Sequence, residues 1–95
     1  MKFYLTPKFV EDYRDLEKKD QLAVTNAKDT LRQALEGHVE YYKMHRIKRM
    51  EGHPNLWEGH VKIDLCFTFH YDETDSGERI VFFRRVGKHK IYKNP

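Results

Sequence analysis

The sequence predicts an α+β domain: an antiparallel helical hairpin packed on one face of a mainly antiparallel four-stranded sheet, in the order β-α-α-β-β-β. Three observations carry this. Two segments within the first forty residues repeat apolar side chains at helical spacing. The stretch from His60 to Tyr71 alternates with a period of two, as a half-buried strand does. The link between the helical segments is short enough to make them antiparallel neighbours. Two helices on one face of a sheet is a standard way to bury both apolar surfaces. Ninety-five residues suffice for one domain, 1–95.

In order, Lys2 to Leu5 reads as a first strand, ended by Thr6-Pro7. Thr6 caps a helix, and Pro7 sits at its first position, where a missing N–H costs nothing. Phe9, Val10, Tyr13 and Leu16 share one helical face, and Lys18-Lys19 suit that helix's C-terminal dipole. Asp20 caps a second helix whose stripe is Leu22, Val24, Ala27, Leu31, Ala34 and Leu35, with Gly37 just past its end. Between His38 and His45, Tyr41, Tyr42 and Met44 either pack under the helices or line a groove. Arg46 to Met50 (Arg46-Ile47-Lys48-Arg49-Met50) alternates basic and apolar, as a strand with a basic outer face does. Gly52-His53-Pro54-Asn55 is a turn.

The His60–Tyr71 strand then points Val61, Ile63, Leu65, Phe67, Phe69 and Tyr71 to the core, leaving the intervening face open. After a turn at Asp72 to Gly77, Arg79 to Val86 forms the last strand. Its Ile80–Phe83 run is apolar on both faces and suits a central position.

Charge is uneven. Residues 1–40 hold seven Lys/Arg against eight Asp/Glu; residues 41–95 hold eleven against seven and five of the six histidines. A basic, His-rich half fits a polyanion partner, and an ordinary solvated surface is the alternative. Cys66 is the sole cysteine, so no intrachain disulfide forms. No apolar run approaches the ~20 residues of a membrane span. The N-terminus lacks the apolar region of a signal peptide. The expectation is a cytoplasmic protein with no membrane partner.

His60 and Asp64, four apart on one strand, would share a face about 13 Å apart. They could flank a bound group, with Lys62 between them and His89 as a third member. Arg84 and Arg85 are adjacent, so they face opposite ways and only one can join. Two groups titrating near neutrality can take a proton from a nucleophile and give one to a leaving oxygen. Cations can hold the charge on a phosphate, and RNA supplies its own 2′-OH as nucleophile. No cofactor is needed, and no His-x-x-x-His or Cys-x-x-Cys spacing supports a zinc site, so no metal is expected. On the residues alone, a basic binding module and a protein-interaction domain stay open beside RNA cleavage. His38 and His70 read as plain surface histidines, and Cys66, Thr68 and His70 as running away from the site.

Trp57-x-x-His60-x-x-x-Asp64, followed by Arg85-Val86-Gly87-Lys88-His89 and the aromatic Tyr92, resembles the RelE/ParE superfamily of type II toxins. It is most similar to the YafQ-like mRNA interferase branch, and the likeness spans nearly the whole chain. The resemblance implies a RelE-like fold and a ribosome-dependent, metal-independent endoribonuclease that cleaves mRNA in the ribosomal A site. It also implies a cognate antitoxin. His60, Asp64 and His89 match the family's acid–base residues, Arg85 its site arginine and Tyr92 its terminal aromatic. A further histidine of that branch matches His53, with His45 the alternative. Lys62, Lys88, Lys90 and the basic strand Arg46, Lys48, Arg49 would hold RNA. Leu65 stands where that branch often has Trp. The same superfamily contains ParE-like gyrase inhibitors, and a catalytically silent antitoxin- or RNA-binding member is a further alternative.

Overall fold

Thr6 sets the start of the chain. Its hydroxyl oxygen accepts from Phe9 N–H at 3.2 Å and donates to the Arg84 carbonyl at 3.1 Å. The cap thus opens α1 (Pro7–Asp15) and ties it to the last strand. The structure, a computed structural model, describes residues 1–95. Before the cap runs β1 (Lys2–Leu5). After it come α2 (Lys18–Leu35), α3 (Val39–Met44), β2 (Lys48–Arg49), β3 (Trp57–Lys62), β4 (Leu65–Glu73), β5 (Arg79–Gly87) and a closing 3-10 turn at His89–Lys93.

The α+β class and the helical hairpin hold. The sheet has five strands rather than four, in the order β1-β5-β4-β3-β2. Only β1 runs parallel to its neighbour β5; the other pairs are antiparallel. The expected single strand His60–Tyr71 is in fact two. The chain reverses at Ile63-Asp64, so His60 faces Cys66 across β3 and β4. Ile63, expected in the core, is 85% exposed at the tip of this turn. The alternation hid the reversal because Ile63-Asp64 is not one of the usual hairpin pairs such as Asn-Gly or Asp-Gly.

Helix boundaries also move. Lys18 and Lys19 open α2 rather than close α1, and Glu17, not Asp20, is the N-cap. Asp20 lies in the first turn of α2 and is buried. Leu22 of the expected stripe is exposed. Gly37 follows α2 with φ 114°, a conformation that favours glycine. The unassigned segment after it forms α3, capped by His38.

The core lies between the helices and one sheet face. Phe9, Leu31, Ala34 and Leu35 meet Leu65, Phe67, Phe69, Val81 and Val86 there. Gly59 lets this layer close. A Cβ at that position would stand 2.5 Å from Phe67 Cζ and 3.2 Å from the His45 carbonyl. Gly59→Ala should therefore destabilise the fold by about 1–3 kcal/mol, the usual range for overpacking. A lower urea midpoint with an unchanged m-value checks this; an unchanged midpoint contradicts it.

Candidate active site

The other face of the sheet gathers His60, Cys66, His89 and Tyr92. β3 positions His60 through its backbone. Its N–H donates to the His45 carbonyl at 2.7 Å, and His45 Nδ1–H donates back to the His60 carbonyl at 2.8 Å. His45 is only 2% exposed, and its Nε2 lies 2.9 Å from Thr30 Oγ1 on α2. His45 therefore supports His60 from behind and does not reach the open face. His53 sits in the exposed turn after β2. Its backbone bonds Met50 and Leu56, and its ring makes no hydrogen bond. The structure brings neither histidine to the His60 and His89 rings.

The hairpin and the closing turn bring those two rings together, with centroids 6.0 Å apart. Cys66 lies beneath them. Its Sγ is 3.8 Å from His60 Nδ1 and 4.0 Å from His89 Nδ1. Fully buried, the thiol has its pKa pushed up chiefly by desolvation, so it stays S–H at neutral pH. His60 Nδ1 is also 3.3 Å from the Ile63 carbonyl. A carbonyl only accepts, so this contact places the proton on Nδ1 and leaves the Nε2 lone pair for a substrate.

Tyr92 packs edge-on to His89, centroids 5.6 Å apart. Its hydroxyl is buried without a hydrogen-bond partner. Burial, then the Cys66 thiol and the Glu58 carboxylate, push its pKa far up, so it remains a neutral donor.

Asp64 sits in the hairpin turn and faces lysines rather than histidines. Lys88 Nζ is 3.1 Å from Asp64 Oδ2, and Lys62 Nζ is 4.0 Å from Asp64 Oδ1. The same two lysines converge on buried Asp20, Lys62 at 2.7 Å and Lys88 at 3.4 Å. The Lys62 hydrogen bond holds Asp20 below its ordinary pKa against the pull of burial; Lys88 does the same for Asp64.

Both carboxylates thus bind protons less readily folded than unfolded. The stability they give is complete well above the ordinary value of 3.8 and is lost as pH falls through their lower folded values. Asp20→Asn should lower the melting temperature at pH 7, and the deficit should shrink as the pH approaches 3. Thermal unfolding across that range checks it; a pH-independent deficit contradicts it.

The arginines do not follow expectation. Arg85 is bidentate to Asp12 of α1, Nε at 2.7 Å and Nη2 at 3.2 Å, and Nη1 donates to the Asn94 carbonyl at 2.9 Å. Its charge is matched there, and it fastens α1 and the closing segment to β5. Arg84 Nε donates to the Pro95 carbonyl, and its Nη1 donates to His70 Nδ1 at 3.1 Å. A break in the β4–β5 register at Thr68/Phe69 accompanies this. Burial and then Arg84 lower the His70 pKa, which keeps that ring neutral. Arg46, Lys48, Arg49 and Lys90 are exposed and make no ion pair. Arg49 lies over the Trp57 ring at 5.5 Å. No three His, Cys, Asp or Glu side chains are arranged to hold a metal ion.

Two helices on one face of an antiparallel sheet edged by a parallel β1 is a fold shared with solved toxin structures. The fold matches the YoeB/ParE toxin from Agrobacterium tumefaciens with a TM-score of 0.69 and 18% identity, over 94% of this chain and 99% of that one. It matches YafQ from E. coli at 0.66 and 15%, over 95% and 94%. YafQ in the E. coli DinJ–YafQ toxin–antitoxin complex matches at 0.52 and 15%, over 93% and 91%. No family model matches the sequence, and no curated protein matches it. No helix is long and apolar enough to cross a membrane.

Proposed function

We propose that the chain is the toxin of a type II toxin–antitoxin system, a ribosome-dependent endoribonuclease that cleaves mRNA by acid–base chemistry. The observation that supports this most is the opposed pair His60 and His89 over the buried Cys66 thiol. His60, with Nε2 free, takes the 2′-OH proton, and protonated His89 gives one to the leaving 5′-oxygen. The 2′-oxygen attacks phosphorus as the P–O5′ bond breaks, leaving a cyclic phosphate. Tyr92, a buried neutral hydroxyl beside His89, lines the site. Lys62, Lys88 and Lys90, with the edge residues Arg46, Lys48 and Arg49, bind RNA backbone. A cognate antitoxin would silence the free protein; one neighbour in fold was solved as the DinJ–YafQ toxin–antitoxin complex. The reading includes neither a metal nor a cofactor.

Expression in cells with mapping of mRNA 5′ ends tests the proposal. New cleavage by the wild type that disappears in His60→Ala and His89→Ala is the expected result. No new ends, with supercoiling by gyrase blocked in vitro instead, would move the chain to the gyrase inhibitors.

A further inference from the structure

We propose that Lys62 and Lys88 form a clamp for a backbone phosphate of single-stranded RNA, built on buried Asp20, and that Asp64 occupies it in the free protein as a stand-in for that phosphate. The inference rests on the RNA-directed reading of the site and adds a subsite beside the histidines.

The two carboxylates that share the lysines differ in one respect. The Asp20 side chain is 3% exposed, whereas that of Asp64 is 65% exposed. Lys62 and Lys88 are 38% and 49% exposed, open enough to meet a ligand. Asp20 cannot leave without stranding a buried charge. Asp64 can, because an exposed ion pair is weak and its partner is easily exchanged with solvent. Two ammonium groups against one fixed carboxylate leave a single positive charge. Asp64 neutralises it now, and one phosphodiester carries the same charge.

Position agrees with this use. Lys88 directly precedes His89, and Lys62 follows His60 by two residues at the end of β3. The lysines and the histidines are thus carried on the same two chain segments. Ammonium groups suit a phosphate as compact point charges on flexible stems. Asp64 makes its contacts with the two lysines, and neither His60 nor His89 is among its hydrogen-bond or ion-pair partners. The shifts of Asp20, Asp64 and Lys88 all favour the charged forms.

The test is affinity for a short fluorescent 2′-O-methyl RNA, which has no free 2′-OH and is not cleaved, measured by anisotropy at several salt concentrations. Asp64→Asn should tighten binding about two- to fivefold, the fold-change an exposed ion pair allows. Lys62→Gln and Lys88→Gln should each weaken it and make the log–log salt slope shallower by about 0.7. In the Lys88→Gln background, Asp64→Asn should gain little. Glu73→Gln removes the same charge at the far end of β4, and its effect should be smaller than that of Asp64→Asn. Binding by Asp64→Asn no tighter than by wild type or by Glu73→Gln overturns the clamp, as does a wild type that binds no RNA. Binding in the expected pattern without mRNA cleavage in cells leaves the clamp and sinks the ribonuclease. Cleavage that needs His60 and His89, with affinity blind to Asp64 and both lysines, sinks the clamp alone.

Discussion

On the ribonuclease reading proposed above, His60→Ala and His89→Ala should each lower the RNA cleavage rate by about 10²–10⁴-fold, the usual contribution of one positioned acid or base. The fold should survive both changes. His60 holds β3 to the segment after α3 through its backbone N–H and carbonyl, which alanine keeps. His89 is exposed at the start of the closing turn, and its ring makes only the 4.0 Å contact with Cys66 among hydrogen-bond partners. The double variant should be little worse than either single one, because base and acid act in one transition state. Either alanine variant cleaving at the wild-type rate would remove that histidine from the mechanism.

Arg85→Ala and Asp12→Ala should each destabilise the fold by about 3–5 kcal/mol, in line with breaking one partner of a buried ion pair. The two side chains are 18% and 12% exposed, so the lower part of that range is expected. Each change leaves more than a lost pair. Without Asp12, the Val86 N–H loses its acceptor at 3.2 Å and Arg85 keeps an unpaired charge. Without Arg85, the Asn94 carbonyl loses a donor, and the segment that carries His89 and Tyr92 is held less firmly. The double variant should cost little more than the worse single one, since the second change removes the charge stranded by the first. Urea unfolding of the four forms measures this coupling. Additive effects would show that the pair contributes separately to α1 and to the closing turn.

What the sequence reveals depends on how far apart the cooperating residues lie. Thr6-Pro7 and Gly37 act within a few residues of themselves, and both read correctly from neighbours alone. The helical hairpin follows from apolar spacing. Cys66 shows the opposite case. A straight strand carries it away from His60, and only the turn at Ile63-Asp64 brings it beneath both histidines. No glycine or asparagine marks that turn, and the alternation of apolar residues runs through it unbroken. A straight strand also sets Asp64 on the same face as His60, whereas in the turn its carboxylate pairs with Lys88. Asp12 and Asp20 were invisible as partners because their lysines and arginine lie more than forty residues away in sequence. α3 is six residues long, too short for a helical period to show.

The parallel pairing of β1 with β5 has a consequence in time. Lys2 meets Ile80 and Leu5 meets Phe83, across nearly the whole chain. Contacts so distant in sequence slow folding, because loop closure must precede the contacts that reward it. Synthesis at about 5–20 residues per second adds a wait of roughly 4–16 s before β5 can follow β1 out of the ribosome. Until then the Phe67–Phe69 face has no complete sheet, and His89 has no neighbour in His60. A nascent chain therefore lacks the paired histidines until the strand that closes the sheet has been released.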